Sequence, residues 1–405
     1  MKWEKVRLGD VTDSCLGKML DKEKNRGEYQ LYLSNKDVRW GSFDLEHLDL
    51  MKFEEHEEER YGVRYGDLIV CEGGEPGRCA IWKNQIPNMK IQKALHRVRV
   101  HEDLDYRFLY YWFLWAGKRG ELQQYFTGAT IKHMPGDKLK SVIITKPDIE
   151  TQRQIADVLS AYDDLIETNQ NQIRLLEEAA QRLYKEWFID LHFPGCEEVE
   201  IIDGVPEGWK KSPLGNVLQV VRGRSYSSKE LSDKEGVLMV NLSNIRPYGG
   251  YNRDQEKHYT GKVNDNQYVE THDLLMGVTD MTQERRTVGR VAIVPNLHAK
   301  AMISMDLIKL VPVAGSPLFY YALLNYGGYS EVISRFANGT NVLHLRPDVL
   351  DIVDAVIPDV RLQNSFVEFF KSIQNRLDVL QDEMIIAAEA RDRLLPKLMS
   401  GEIEL

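Results

Sequence analysis

Cysteine is scarce: there are four in 405 residues, Cys15, Cys71, Cys79 and Cys196, and no C-x-x-C pair joins any two of them. That spacing argues against a paired-thiol zinc or redox motif and points to reduced, structural thiols in the cytoplasm. Ten histidines include no H-E-x-x-H and no clustered ligand spacing, so no metal site is expected. Long apolar runs are also missing. The longest, Phe108 to Trp115, falls far short of the roughly 20 residues a membrane span needs. The opening Met1-Lys2-Trp3-Glu4-Lys5 has no apolar core, so no secretory leader is expected. Positive charge is in deficit: 52 Lys and Arg face 62 Asp and Glu, a net charge of −10. This argues against a general nucleic-acid coat, because phosphate contacts need Lys and Arg. Part of the excess is one block, Glu54-Glu55-His56-Glu57-Glu58-Glu59, which reads as a solvated face. An acidic chain can still bind DNA if its basic side chains gather on one surface and a partner supplies further phosphate contacts.

Catalytic signatures are missing too. The Gly-Lys pairs Gly17-Lys18, Gly117-Lys118 and Gly261-Lys262 are followed by Met, Arg and Val, so no P-loop is present. No G-x-G-x-x-G follows a strand, and no Asn-Pro-Pro-Tyr-like tetrapeptide marks an adenine methyltransferase. Pro-Asp occurs at Pro147, Pro347 and Pro358, but nowhere does Asp or Glu stand two residues before Lys, as a metal-dependent nuclease centre needs. His133, His344, Asp137 and Asp348 sit in matching places with no nucleophile beside them, and read as capping and packing residues.

What is present is a duplication. The opening Trp3-x-Lys5-x-x-Leu8-Gly9-x-Val11 returns as Trp209-x-Lys211-x-x-Leu214-Gly215-x-Val217. Leu33-Ser34-Asn35 returns as Leu242-Ser243-Asn244, and Asp67-Leu68-Ile69-Val70 as Asp273-Leu274-Leu275-Met276. Gly77-Arg78-Cys79-Ala80-Ile81 is matched by Gly289-Arg290-Val291-Ala292-Ile293. The aromatic runs Phe108-Leu109-Tyr110-Tyr111 and Leu318-Phe319-Tyr320-Tyr321 come next; their helical spacing makes them core rather than base-stacking. Last come Phe126-Thr127-Gly128-Ala129-Thr130 and Phe336-Ala337-Asn338-Gly339-Thr340. A repeat of about 210 residues is far too long for a solenoid and means two copies of one domain. Short alternating apolar runs with Gly-rich turns predict an α/β domain with a curved, mostly antiparallel sheet.

Each copy ends in a long helix that begins after Pro147-Asp148 or Pro358-Asp359. Heptad lines run through Ile155, Tyr162, Asn169, Leu176, Leu183 and through Leu159, Ile166, Ile173, Ala180, Trp187. The second helix has Phe366, Ile373, Leu380, Ala387, Leu394 and Phe370, Leu377, Met384, Arg391, Leu398. Such stripes read as a coiled coil, in which the two helices of one chain hide their apolar faces against each other. Packing of each helix on its own domain, or on another protein, is the alternative. Asn169 on the stripe is suited to setting register.

The order of domain, helix, domain, helix resembles the specificity subunits of type I restriction-modification systems over essentially the whole chain. The marks are the Trp-x-x-x-x-Leu-Gly-x-Val openings, the Gly-Arg-x-Ala-Ile segments, the Gly-Thr loops and Ile155-Ala156-Asp157-Val158-Leu159. The most specific is the tail Arg391-Asp392-Arg393-Leu394-Leu395-Pro396-Lys397-Leu398-Met399-Ser400-Gly401-Glu402-Ile403. The helix entries Pro147-Asp148-Ile149-Glu150-Thr151-Gln152 and Pro358-Asp359-Val360-Arg361-Leu362-Gln363 depart from the family's Pro-Pro-Leu-x-Glu-Gln but keep the proline and glutamine. The resemblance implies an α+β chain: two similar α/β target-recognition domains joined by two long helices in an antiparallel coiled coil. The expected layout is a first recognition domain over 1–147, a spacer helix over 148–190, a linker over 191–207, a second recognition domain over 208–357, and a C-terminal helix and tail over 358–405.

It further implies a non-catalytic subunit whose domains each recognise half of a split, asymmetric site in double-stranded DNA. Two methyltransferase subunits would dock on the helices and flip out adenine, with their own S-adenosylmethionine. Motor-nuclease subunits would use ATP and Mg²⁺. The chain itself would hold no cofactor. Base readout needs Arg or Lys for guanine and Asn or Gln for adenine, in loops that reach the major groove. The leading candidates are Gln283, Arg285 and Arg286 in Thr282–Thr287, whose counterpart Glu72-Gly73-Gly74-Glu75-Pro76 has no such donor, with Arg78 just beyond it. The two arginines are equally suited to holding phosphates. Next are Ser34, Asn35, Lys36 and Arg39 with Ser243, Asn244 and Arg246, then Thr130, Lys132 and His133 with Thr340, Asn341 and His344. Arg222 and Arg224 complete the set, and for each a surface or turn-forming role is as compatible as a DNA contact. A stand-alone two-headed DNA-binding protein, a metal-dependent nuclease and a pure assembly scaffold remain the alternatives.

Overall fold

The computed structural model describes residues 3–21, 25–253 and 257–405. It contains two compact units, Met1–Thr168 with Glu383–Leu405, and Asn169–Asp382. The four longest helices among the described residues are α1 (Tyr106–Lys118), α2 (Ile149–Phe188), α3 (Pro317–Tyr326) and α4 (Val360–Met399). Each unit therefore takes a stretch of both long helices, α2 and α4.

The same sheet is built twice. In the first unit a four-stranded antiparallel sheet runs in the order Thr12–Leu16, Leu95–Val100, Leu68–Cys71, Cys79–Ile81. In the second the order is Leu218–Arg222, Leu307–Pro312, Leu274–Gly277, Val291–Ile293. The strand at Leu68–Cys71 reads as unbroken apolar sequence because both its faces are buried. Leu68 and Val70 face one core with α1, while Ile69 and Cys71 face another with Trp82 and Ile91. Leu274 and Met276 likewise face α3, and Leu275 faces Val240 and Ile303. A second sheet, three-stranded in the first unit and five-stranded in the second, contains one parallel pair in each, Tyr32–Leu33 with Lys90–Ile91 and Leu238–Val240 with Ala301–Ile303. The opening strands Glu4–Arg7 and Lys210–Pro213 pair antiparallel with Ile143–Lys146 and Asp354–Ile357, the strands that lead into the long helices.

The helix entries are the same device in both copies. Asp148 accepts the Thr151 amide at 3.0 Å, and Asp359 accepts those of Arg361 and Leu362 at 2.6 and 3.3 Å, which caps the first turns. Gln152 and Gln363 reach back to the carbonyls of Pro147 and Pro358, each at 2.9 Å.

Within each unit α2 and α4 pack antiparallel. In the first, Ile155, Ala156 and Leu159 share a core with Leu395, Leu398 and Met399. In the second, Ala180, Tyr184 and Trp187 share one with Phe366 and Phe370, and the Phe366 ring lies 5.9 Å from that of Trp187. None of the heptad residues is exposed: Asn169, Ile173, Leu377 and Leu380 are buried, and Tyr162, Ile166, Leu176, Leu183, Ile373, Met384 and Leu394 are half-buried.

The acidic block departs from its reading as a plain solvated face. Glu57 meets Lys18 Nζ at 2.5 Å and Glu58 meets Lys90 Nζ at 2.6 Å, and both lysines are buried. An ammonium removed from water needs a counter-charge, and the block supplies two. Burial opposes ionisation of Glu57, but hydrogen bonds from Lys18 and the Glu54 amide outweigh it and hold the carboxyl below its ordinary pKa.

Phe366→Ala is expected to lose about 3–5 kcal/mol, because it empties a fully buried site against aromatic neighbours. Leu175→Ala, at a side chain 55% exposed on the same helix pair, should stay within about 0.5 kcal/mol. Thermal unfolding of the two variants checks this, and equal losses would contradict the placement of the seam.

Candidate nucleic-acid interface

Three loops converge at one end of the four-stranded sheet in each unit. In the first unit they are residues 34–41, 72–78 and 127–133. Arg78 donates to the Asn35 carbonyl at 3.0 Å, Trp40 Nε1 donates to Glu75 at 2.7 Å, and the Met134 amide donates to the Glu72 carbonyl at 2.7 Å. In the second they are residues 242–250, 278–290 and 338–344. The Tyr248 amide donates to the Arg286 carbonyl at 2.7 Å, Gln283 Nε2 to the Thr340 carbonyl at 3.0 Å, and the Leu345 amide to the Val278 carbonyl at 2.8 Å.

The third loop is closed identically in both. Thr127 and His133 exchange backbone hydrogen bonds of 2.7 and 2.9 Å, and Asn338 and His344 exchange bonds of 3.0 and 2.9 Å. Residues between these pairs, Thr130, Lys132, Thr340 and Asn341 among them, have exposed positions except for Val342 and Leu343. His133 and His344 are themselves exposed, so they close the loops through their backbones rather than by packing. Gly73 and Gly74 permit the crowding in the first unit. A Cβ on Gly73 would stand 2.9 Å from His133 Nδ1, and one on Gly74, whose φ is +72°, 2.6 Å from Asn35 Nδ2.

The loop after the central strand differs most. Where the first unit runs Glu72–Pro76, the second inserts residues and shapes them around Asp280, a buried carboxylate. Asp280 accepts the Thr282 amide at 2.7 Å and hydroxyl at 2.8 Å, and the Thr287 and Val288 amides at 2.6 and 3.3 Å. Burial alone would raise its pKa; these hydrogen bonds favour the ionised form more strongly and hold it below the ordinary aspartate value.

The sequence-derived residues divide by what they already touch. Ser34 and Asn244 serve their own turns: Ser34 bonds Asp37, and buried Asn244 bonds the Asn241 amide and the Asn252 carbonyl. Arg78 and its repeat partner Arg290 are braces, paired with Glu75 at 3.1 Å and Glu331 at 2.5 Å. Arg246 holds Glu177 of α2 at 2.8 Å. Lys36 pairs with Asp49 at 2.7 Å, Arg39 with Asp44 at 3.3 Å, and Arg286 with Glu284. Ser243 is exposed above its turn. Arg222 ends the edge strand at the loop end of the sheet, and Arg224 just beyond it donates to the Tyr259 hydroxyl at 3.5 Å. Among the described residues, Lys132, Arg222 and Arg285 have no carboxylate within ion-pair distance.

Sequence reasoning missed three exposed apolar side chains on these loops: Ile131 (64% exposed), Tyr248 (59%) and Met281 (72%). An apolar residue inside a Gly-Ala-Thr-Ile-Lys loop was the available signal for the first.

The family model described as Type I restriction modification DNA specificity domain matches residues 1–178. The chain is 24% identical over its whole length to the Type I restriction enzyme MjaVIII specificity subunit of Methanocaldococcus jannaschii, covering 93% of that protein. It is 26% identical to the MjaIX specificity subunit of the same organism, over 84% of this chain and 78% of that one. Over residues 1–178 the chain is similar to the type I specificity-domain family. The crystal structure of a type I S subunit from M. genitalium has the same fold, with a TM-score of 0.63 and 18% identity over 98% of this chain and 96% of that one. The family resemblance drawn from the repeated openings and the tail is thus borne out, as is the α+β fold of paired recognition domains and antiparallel helices. No described helix is long and apolar enough to cross a membrane.

Asp280→Ala should release the 280–288 loop, lowering stability by about 1–3 kcal/mol as buried amides lose their acceptor. Limited proteolysis should then cut first within that loop. Because Asp280 titrates lower when folded than when unfolded, its contribution is complete above the ordinary aspartate range and fades as pH falls through the depressed value. Asp280→Asn should remove that acid-side loss of loop protection; an unchanged acid profile would show that Asp280 does not control it.

Proposed function

We propose that this chain is the DNA sequence-specificity subunit of a type I restriction-modification complex, recognising a bipartite, asymmetric site. Each unit would read one half: a first recognition domain over 1–147, a spacer helix over 148–190, a linker over 191–207, a second recognition domain over 208–357, and a helix and tail over 358–405. The chain contributes recognition and assembly and no chemistry of its own. Two methyltransferase subunits would dock on the paired helices and methylate adenine with S-adenosylmethionine that they bind themselves. Restriction-translocase subunits would join with ATP and Mg²⁺, in the cytoplasm.

The observation that carries this reading is the repeated platform of three loops. Its scaffold is the same in both units down to the backbone bonds that close Thr127 to His133 and Asn338 to His344. Its tip residues differ, with exposed Gln283 and Arg286 and half-buried Arg285 on a loop where the first unit has Glu72–Pro76. Shared scaffold with unlike loop tips suits two readers of unlike half-sites, and asymmetry of the target follows from it. Gln283, Arg285, Arg286, Arg222, Ser243, Thr340, Asn341 and His344 are proposed as the contacts of the second unit. Asn35, Lys36, Arg39, Thr130, Lys132 and His133 are those of the first, and Ser34, Asn244, Arg78, Arg224 and Arg246 act by holding the loops in place.

Genome-wide adenine methylation, compared by single-molecule sequencing between a host with this gene and one without it, tests the reading. Methylation at one split, asymmetric motif is expected to vanish on deletion. Unchanged methylation with an expressed, active methyltransferase would overturn the assignment in favour of a stand-alone DNA-binding protein.

A further inference from the structure

We infer that Ile131 is a specificity-determining residue that reads the C5-methyl group of a thymine in the half-site of the first unit. The inference rests on the reading proposed above and adds the chemistry of one contact. Ile131 is 64% exposed on its loop tip, and a loop already held in place can present that apolar area to a ligand with little further ordering cost. Here the loop is held. Thr127 and His133 close it from both sides, and the Met134 amide ties it to the Glu72 carbonyl.

The surroundings say which ligand group the side chain suits. Thr130 and Lys132 flank it, and among the described residues Lys132 has no carboxylate partner, so the tip carries one free cation for phosphate beside one apolar group. In the neighbouring loop the donor side chain, Arg78, is already engaged by Glu75 and the Asn35 carbonyl. The Glu75 acceptor oxygens are already taken by Trp40 Nε1 at 2.7 Å and Arg78 at 3.1 Å. Beside these engaged groups, the exposed apolar side chain at the tip is itself suited to the thymine methyl, the apolar mark of the major groove. The second unit is built the other way. The position equivalent to Ile131 is Val342, half-buried, and the register that sets Asp280 opposite Leu343 brings the exposed Met281 next to it from the other loop. The two platforms thus present their apolar tips from different loops of the same scaffold, as suits two different half-sites.

The test uses the full chain assembled with its methyltransferase subunit and duplexes carrying the methylated motif. Each dT is replaced in turn by dU, which lacks only the methyl group, and binding is measured for the wild type, Ile131→Ala and Met281→Ala. Loss of one buried methyl corresponds to about fourfold weaker binding. One dT, in one half-site only, is expected to show that loss with the wild type and with Met281→Ala, and none with Ile131→Ala. The inference is overturned if no dT shows the effect, or if the effect persists in Ile131→Ala, in each case with sequence-specific binding intact. A wild-type complex that binds motif and non-motif duplexes equally would instead bring down the specificity-subunit reading, and this inference with it.

Discussion

Each long helix carries an apolar stripe along 40 residues, a rod of about 60 Å that no domain of this size can cover by itself. The solution in both units is to bury a stretch of one helix against a stretch of the other and to let the pair complete the domain core. Ile155 and Leu159 meet Leu395 and Leu398 in the same cluster that holds the aromatic face of α1. Trp187 and Phe366 meet in the cluster that holds α3. The two packing schemes open at the sequence level, helix on helix and helix on its own domain, are therefore one arrangement. The first unit is finished only when the last residues of the chain return to it.

Polar groups in this seam are placed where they can be satisfied. Arg391 occupies a stripe position, yet its guanidinium meets Asp163 at 2.6 Å, and Asp163 also accepts the Tyr111 hydroxyl at 2.6 Å. Burial disfavours the charged arginine, but its hydrogen bond to Asp163 outweighs this and raises the pKa. A charge buried in this way adds little net stability, because desolvation offsets most of the attraction. Its value is register: sliding either helix by a turn would part Arg391 from Asp163 across the seam. Asn169, buried on the stripe of the second unit, fits the same logic.

Local chemistry explains what the sequence made legible. The duplication, the helix starts at Pro-Asp and the two-faced central strands are set by residues adjacent in the chain or at a fixed period. Their structural reading needed no knowledge of distant partners. The state of a loop donor is a different kind of fact. Arg246 looks like a free guanine reader until Glu177 of α2, 69 residues back, is found at 2.8 Å from it. Asn244 is a plausible adenine reader by type and a buried turn residue by position. The acidic block misled in the same way, since the lysines that it neutralises lie 39 and 32 residues away from their partners, at Lys18 and Lys90.

These pairings also resolve the acidic balance of the chain. Many of the basic groups near the loop platforms are already matched: Lys36 to Asp49, Arg39 to Asp44, Arg78 to Glu75, Arg290 to Glu331. Few cations are left to neutralise phosphates, so the chain alone has little of the sequence-independent attraction that dominates general DNA affinity. What it keeps is a small set of exposed, differently shaped loop tips, which under the proposed function would discriminate between bases without adding much non-specific affinity. A surface of that kind reads well only when something else holds the duplex against it. Under the proposed function, the placement of the carboxylates favours a division of labour in which recognition would lie here and phosphate grip on a partner.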